Sequence, residues 1–314
     1  MPQDLHELPK IRDSLSFLYL EHCIIDQKLQ AVEAIDADKG RTLIPVAALT
    51  TLILGPGTSI THAAIKTLAA NGCLVMWCGE EGIRYYAHGQ GETRRSLRLI
   101  HQAWKCSIPS EHMRVVMNMY GYRFYEPLSP NLSLSQVRGL EGVRVRNAYK
   151  AASQKFGIPW HGRKYDSKDW AKADSLNRAL STANACLNGI CHSAIVSAGY
   201  SPGLGFIHVG KQLSFVYDIA DLYKVEITIP IAFQTVLETP TKLESDVRHK
   251  CRDIFKDRKL LDRIILDLDK ILEFSDDWNE EIDPLEQNGS IPEVLWSPEN
   301  DPIKCEISDG DHNT

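Results

Sequence analysis

The apolar residues of this chain change their period once, near Gly89-Gln-Gly91, and that change limits the kind of fold it can adopt. Before it, short apolar runs such as 15–19, 43–46 and 52–54 have period-two character and are broken by Gly and Pro, as in strands with one buried face. A single helix at about 61–70 interrupts them. Gly55-Pro-Gly-Thr-Ser59 supplies its entry and Asn71-Gly72 its left-handed stop. Strands at 74–77 and 83–86 follow, around the turn Gly79-Glu-Glu-Gly82. After the change come long helical segments, at roughly 94–106, 110–125, 134–156, 167–198, 213–226, 229–238, 244–256 and 258–273. The expected class is therefore α+β: a small N-terminal β-rich domain over 1–90, then a larger all-helical domain over 91–274. A flexible acidic C-terminal tail over 275–314 has little periodicity and is expected to be disordered.

At 314 residues and 43% hydrophobic, the chain can bury a sizeable core. No run approaches the ~20 apolar residues of a spanning helix, and the start lacks the basic and apolar regions of a signal peptide, so a cytoplasmic, membrane-free protein is expected. The eight cysteines are scattered without a CxxC pair and are read as reduced thiols. Cys73/Cys78 and Cys186/Cys191 are each five apart, but no His pair at finger spacing accompanies them, which favours buried thiols over zinc ligands.

The net charge of −6 argues at first against a nucleic-acid partner, because such binding needs cations against phosphates. The distribution reverses this. Residues 275–314 hold twelve acidic residues and one basic, a net of −11, which leaves +5 on 1–274. Within that body, residues 138–172 hold nine basic residues against three acidic ones, a local stripe of the kind that tracks a phosphate backbone. The tail could fold back on this stripe and compete with non-specific DNA, or simply keep the chain soluble.

Three places carry candidate chemistry. Asp218 and Asp221 are three apart beside the apolar positions Phe215, Ile219 and Leu222, which puts both carboxylates on one helical face. A cation between them or a salt bridge to Lys211 or Lys224 would relieve their repulsion. His208 lies in a short loop between Gly205 and Gly210, where an ordinary surface histidine is equally at home. Glu141 lies in a helix between Gly139 and Gly142. Each glycine costs such a helix up to ~1 kcal/mol, so close approach of a backbone or a ligand is one reason for them. Pairing of Glu141 with Arg138 or Arg144 is the alternative.

Taken together, Leu140-Glu-Gly-Val-Arg144, Trp160-His-Gly-Arg-Lys-Tyr-Asp-Ser-Lys-Asp-Trp170, Gly205-Phe-Ile-His-Val-Gly210 and Leu213-Ser-Phe-Val-Tyr-Asp-Ile-Ala-Asp221 extend beyond these separate features. Through them residues 10–273 resemble the CRISPR-associated integrase of spacer acquisition, the catalytic subunit of the adaptation complex, and most closely its type I-E branch. The resemblance implies a β-rich N-terminal domain and a helical catalytic domain. It implies a metal held by Glu141, His208 and Asp218, with Asp221 as a further essential acid. Such a donor set suits Mg²⁺ or Mn²⁺. The implied reaction joins the 3′-hydroxyl of a captured DNA fragment, the protospacer, to a phosphodiester at the border of the CRISPR repeat. Hydrolysis of branched DNA by the same site is the alternative. The implied assembly is a homodimer, two of which flank a dimer of the small ferredoxin-like adaptation subunit in a heterohexamer.

Arg84, Arg138, Arg163, Lys164, Lys211, Arg248 and Arg252 are candidates for phosphates or base edges, and Tyr165, Trp170 and Tyr217 for stacking on unpaired bases. Singly, each is also an ordinary surface charge or core aromatic. The resemblance further implies that Tyr165, Lys211 and the tail around Gln287 and Ile291 inspect a short motif beside the fragment. His22 stands where the type I-E pattern has a tyrosine that parts the duplex end. Ser59 and Ser245 replace expected arginines, and Lys66 is a milder change.

Overall fold

The computed structural model describes residues 17–28, 31–36, 40–46, 49–91, 96–124, 128–129, 131–163, 174–238 and 241–275. Lys10–Phe274 form one compact unit that contains every element named below. The expected order holds: strands come first, helices follow, and the change falls between a strand ending at Gly89 and a helix beginning at Leu97.

Two four-stranded sheets make up the N-terminal part. One has the order β1 (Phe17–Leu20), β5 (Thr51–Leu54), β7 (Leu74–Cys78), β8 (Tyr85–Gly89), with the first three parallel and β8 antiparallel. The other has the order β4 (Gly40–Ile44), β3 (Ala31–Asp36), β2 (Cys23–Lys28), β6 (Ser59–Ile60). All four residues of β5 are buried, as a parallel strand covered on both faces requires. Helix α1 (His62–Ala70) packs on β2 and β3 of one sheet and β7 of the other, so its buried Ala64 and Leu68 help to fill the space between them. Thr61 caps α1 by accepting from the Ala64 amide at 3.2 Å, and Gly72 supplies the left-handed residue after it.

Three local expectations shift. Apolar alternation does not reveal the β2–β3 hairpin, because buried Glu33 sits among the inward positions, paired with Arg41 at 2.6 Å. Strand β4 ends at Ile44 rather than running to 46, since Pro45 has no N–H to extend the ladder. Strand β8 starts at Tyr85, because Glu80–Gly82 form a 3-10 turn closed by the Gly79 amide on the Arg84 carbonyl at 2.7 Å.

The helical part is built around α5 (Ser175–Ala198), against which α6 (Ser214–Tyr223), α7 (Thr228–Leu237), α8 (Leu243–Asp257) and α9 (Leu260–Leu272) all pack. Its outer members are α2 (Leu97–Ser107), α3 (Pro109–Arg123) and α4 (Leu134–Phe156). Leu180, Leu187, Phe215, Phe233 and Tyr223 are fully buried in this core, where a large apolar side chain contributes about 1.5–3 kcal/mol. Helix α4 starts with a capping box between Ser133 and Gln136. Helix α5 starts at Ser175 under the Asp174 cap, whose Oδ1 accepts the Asn177 amide at 2.8 Å. The stretch expected to begin this helix at 167 lies outside the described residues up to 173.

The 3-10 turn seats the strands on the helices. A side chain at Gly189 of α5 would overlap the Ile83 carbonyl and lie 3.0 Å from Arg84 Cα, so only glycine permits this approach. Arg252 of α8 closes the seat with a 2.6 Å ion pair to Glu80. All seven described cysteines are free thiols, as expected. No described helix is long and apolar enough to cross a membrane.

Candidate functional site

The loop at 205–210 is shaped by the carboxylate of Asp218. This side chain is fully buried on α6 (0% exposed), and its Oδ2 accepts the amides of Phe206 at 2.7 Å and Ile207 at 3.1 Å. Its Oδ1 accepts the His208 amide at 2.8 Å and His208 Nδ1 at 2.7 Å. These four donors use all of the roughly four acceptor positions of a carboxylate. Close packing completes the loop, since a side chain at Gly205 would lie 2.7 Å from Ser214 Cβ.

A carboxylate oxygen accepts, so Nδ1 of His208 is the donor in this contact and Nε2 is the ring nitrogen that faces away from Asp218. The side chain is 45% exposed, so the ring is only half enclosed by the loop. A carboxylate behind an imidazole in this way fixes the tautomer and direction of a metal-ligating histidine. Tyr217 meets the same ring edge-on, with centroids 6.1 Å apart. His112 of α3 braces the loop from the other side: Nε2 lies 2.8 Å from the Phe206 carbonyl oxygen and Nδ1 lies 3.2 Å from that of Cys106. Burial first, and then the nearby Asp218 charge, push the Cys106 thiol up to about 11.

Glu141 of α4 has different company. Arg144 grips it as a fork, Nε to Oε2 at 2.7 Å and Nη2 to Oε1 at 3.0 Å, and Arg123 of α3 adds Nη1 to Oε1 at 3.3 Å. Asp221 pairs with Lys224, one turn along α6. The salt-bridge alternatives for Glu141 and Asp221 are therefore present in the structure, with Arg123 as an additional partner. Among the described residues, no group of three His, Cys, Asp or Glu side chains stands ready to hold an ion. The donor chemistry of Glu141, His208 and Asp218 nonetheless fits a hard or borderline divalent cation. The misfit is one of arrangement, since each acid already has an internal partner.

The glycines beside Glu141 do not serve a protein backbone. Among the described residues, a side chain at Gly139 would meet nothing within 4 Å, and one at Gly142 only Arg146 Nη1 at 3.6 Å. A close backbone approach is found instead at Gly189, and approach of a ligand is the reading left for Gly139 and Gly142.

Of the candidate DNA-binding residues, Arg84, Arg138 and Lys211 are exposed, and Arg248 is partly buried on α8. Arg163 reaches the start of α5, donating to Ser181 Oγ at 3.2 Å and the Asn177 carbonyl at 3.4 Å. Arg252 is committed to Glu80 and to Asp253 at 2.9 Å. Lys164, Tyr165, Trp170, Gln287 and Ile291 lie outside the described residues. His22 is exposed in a left-handed conformation, φ 53°, and its amide donates to the Pro56 carbonyl at 2.9 Å.

Sequence patterns missed Arg123. Its side chain is 4% exposed, with Cζ 5.0 Å from the Tyr120 ring centroid. A lone arginine at the end of an apolar helical run was the available signal, because a buried guanidinium needs a carboxylate. Asp267 of α9 was missed too. Nearly buried, it accepts from Tyr122, the neighbour of Arg123, and from Tyr223 of α6 at 2.7 Å.

Paired sheets on a helical body, with an imidazole–carboxylate couple between a loop and one of its helices, define a class of two-part α+β proteins. Comparisons identify which. Residues 122–250 match the family model described as CRISPR associated protein Cas1. The CRISPR-associated endonuclease Cas1 2 of Thermus thermophilus is 49% identical over 299 residues, 95% of this chain and 91% of that one. CRISPR-associated endonuclease Cas1 of Escherichia coli K12 is 41% identical over 268 residues, covering 85% and 88%. Among solved structures, a crystal structure of a TtCas1–DNA complex matches with a TM-score of 0.80 at 50% identity, covering 85% of this chain and 100% of that one. A casposase bound to its integration product shares the fold, with a TM-score of 0.58 at 12% identity, over 82% of this chain and 96% of that one. The chain belongs to the Cas1 family of CRISPR-associated proteins.

Proposed function

We propose that this Cas1 protein is a divalent-metal-dependent DNA integrase of CRISPR adaptation, of the type I-E branch, that joins 3′-hydroxyl ends of captured DNA fragments to the repeat by transesterification. The observation that carries this reading is the half-exposed imidazole of His208, held through Nδ1 by Asp218, in a chain 49% identical to a Cas1 endonuclease. The relatives' names support action on a phosphodiester, and the TtCas1–DNA complex supports DNA as the ligand.

Glu141, His208 and Asp218 would hold Mg²⁺ or Mn²⁺, which supplies polarisation of a phosphodiester and stabilises charge on its oxygens. In the arrangement described above Asp218 holds the imidazole through Nδ1 and is itself held by the Phe206–His208 amides, so ligation of one ion by both side chains would require the His208 ring to turn from that carboxylate. Lys211, exposed three residues after His208, would take up phosphate charge. Tyr217 supplies a ring beside His208 for an unpaired base. A cytoplasmic homodimer, joined with a dimer of the small ferredoxin-like subunit, belongs to the same reading.

The test is strand transfer of a 3′-hydroxyl fragment into a supercoiled repeat plasmid with the small subunit present. Glu141→Ala, His208→Ala or chelation should abolish it, and wild-type transfer by Glu141→Ala would overturn the site. The name endonuclease favours hydrolysis as a second reading. Product that persists when the fragment ends in a dideoxynucleotide would favour hydrolysis, and its loss integration.

A further inference from the structure

Each acid of the candidate site is already satisfied from within the chain: Glu141 by Arg144 and Arg123, Asp221 by Lys224, Asp218 by His208 and three amides. An ion that enters must therefore displace something. We propose that Arg144, backed by Arg123, is a built-in competitor for the metal, holding Glu141 until the ion takes the carboxylate and the freed guanidinium takes a DNA phosphate. This rests on the metal reading above.

The two arginines differ in a way that assigns the exchange to Arg144. Arg144 follows Glu141 by three residues on α4, so their fork forms with the helix itself. The fork occupies both carboxylate oxygens at 2.7 and 3.0 Å, the atoms a cation would need. Its side chain is only partly buried, so it can swing outward. Arg123 is enclosed, and its Nε and Nη2 have no hydrogen-bond partner among the described residues. It cannot leave, and it stays as a fixed positive charge beside Glu141.

Removal of Glu141 to a metal would take from both guanidinium groups the carboxylate they share, the one acid that pairs with either among the described residues. A phosphodiester has the charge and the paired oxygens to replace it. Metal and DNA then assist each other, because each takes the partner that the other must release. Such coupling is reciprocal, and it appears in binding as well as in turnover.

The experiment measures Mn²⁺ affinity of the full chain by electron paramagnetic resonance of the free ion, with and without a short duplex bearing 3′-hydroxyl overhangs. Thermal melts accompany each variant. Wild type should bind Mn²⁺ more tightly with DNA. Arg144→Gln should bind it roughly threefold to fivefold more tightly than wild type without DNA, and gain less from DNA. Arg144→Lys, which cannot form the fork, should fall between the two and serves as the measure if the Gln variant melts early. Glu141→Gln should weaken binding. Arg144 variants that bind Mn²⁺ no more tightly than wild type, while Glu141→Gln still weakens it, overturn the competitor and leave the metal site standing. Wild-type Mn²⁺ affinity in Glu141→Gln overturns the metal reading and the competitor with it.

Discussion

Tyr85 and His192 stack with ring centroids 3.6 Å apart and planes 26° from parallel, across the seam between β8 and α5. Burial first, and neighbouring His88 second, lower the His192 pKa from 6.5 to about 4. The unfolded chain therefore takes a proton at His192 near pH 6.5, while the folded chain resists until about pH 4. This contribution to stability is complete above the upper value and is lost as pH falls through that window. His192→Phe keeps the ring and removes the titration. Its melting temperature should fall less steeply with acid than the parent's, and parallel melting curves would exclude His192 as the cause.

Gly139 lies in α4, and no described residue occupies the space where a side chain would be. Gly139→Ala should raise stability by about 0.5–1 kcal/mol through helix propensity alone, as read from the urea midpoint. If DNA passes close to this helix, the same variant loses strand transfer while becoming more stable. A lower midpoint would show that the space is not open.

At Gly189 the opposite holds. Gly189→Ala places a methyl against the Ile83 carbonyl and should cost about 1–3 kcal/mol, because backbone on both sides must move. Denaturant unfolding measures it. An unchanged midpoint would contradict the close seat of the 3-10 turn on α5.

Asp267 accepts from Tyr122 and Tyr223, with Arg263 Nε at 3.6 Å, and so ties α9 to α3 and α6. Asp267→Ala strands the buried hydroxyl of Tyr223 and the partly buried one of Tyr122 and should cost about 2–4 kcal/mol, Asp267→Asn less, and Tyr223→Phe about 1 kcal/mol. Equal midpoints for all three variants would show that the hydroxyls do not depend on this carboxylate.

The period change near Gly89 was enough to place the strands before the helices, because burial of one face writes itself into the spacing of apolar residues. Helix α4 was legible to its ends, since Ser133 and Gly157 mark them chemically. The β2–β3 hairpin was not, because Glu33 breaks the alternation in favour of an ion pair made eight residues away. His208 and Asp218 are ten residues apart, and their contact follows from one tight loop. The partners of Glu141 were half legible: Arg144 lies on the same helix turn, whereas Arg123 arrives from another helix through packing that no local pattern records. The same limit hides Asp267, whose two hydroxyl partners come from distant segments.

Three consecutive amides, those of Phe206, Ile207 and His208, all point at one buried carboxylate. Their hydrogen exchange is consequently a single gauge with three needles. While Asp218 keeps its position they are slow together, and any event that draws the carboxylate away, whether an arriving ion or a slipping helix, must let all three exchange at once.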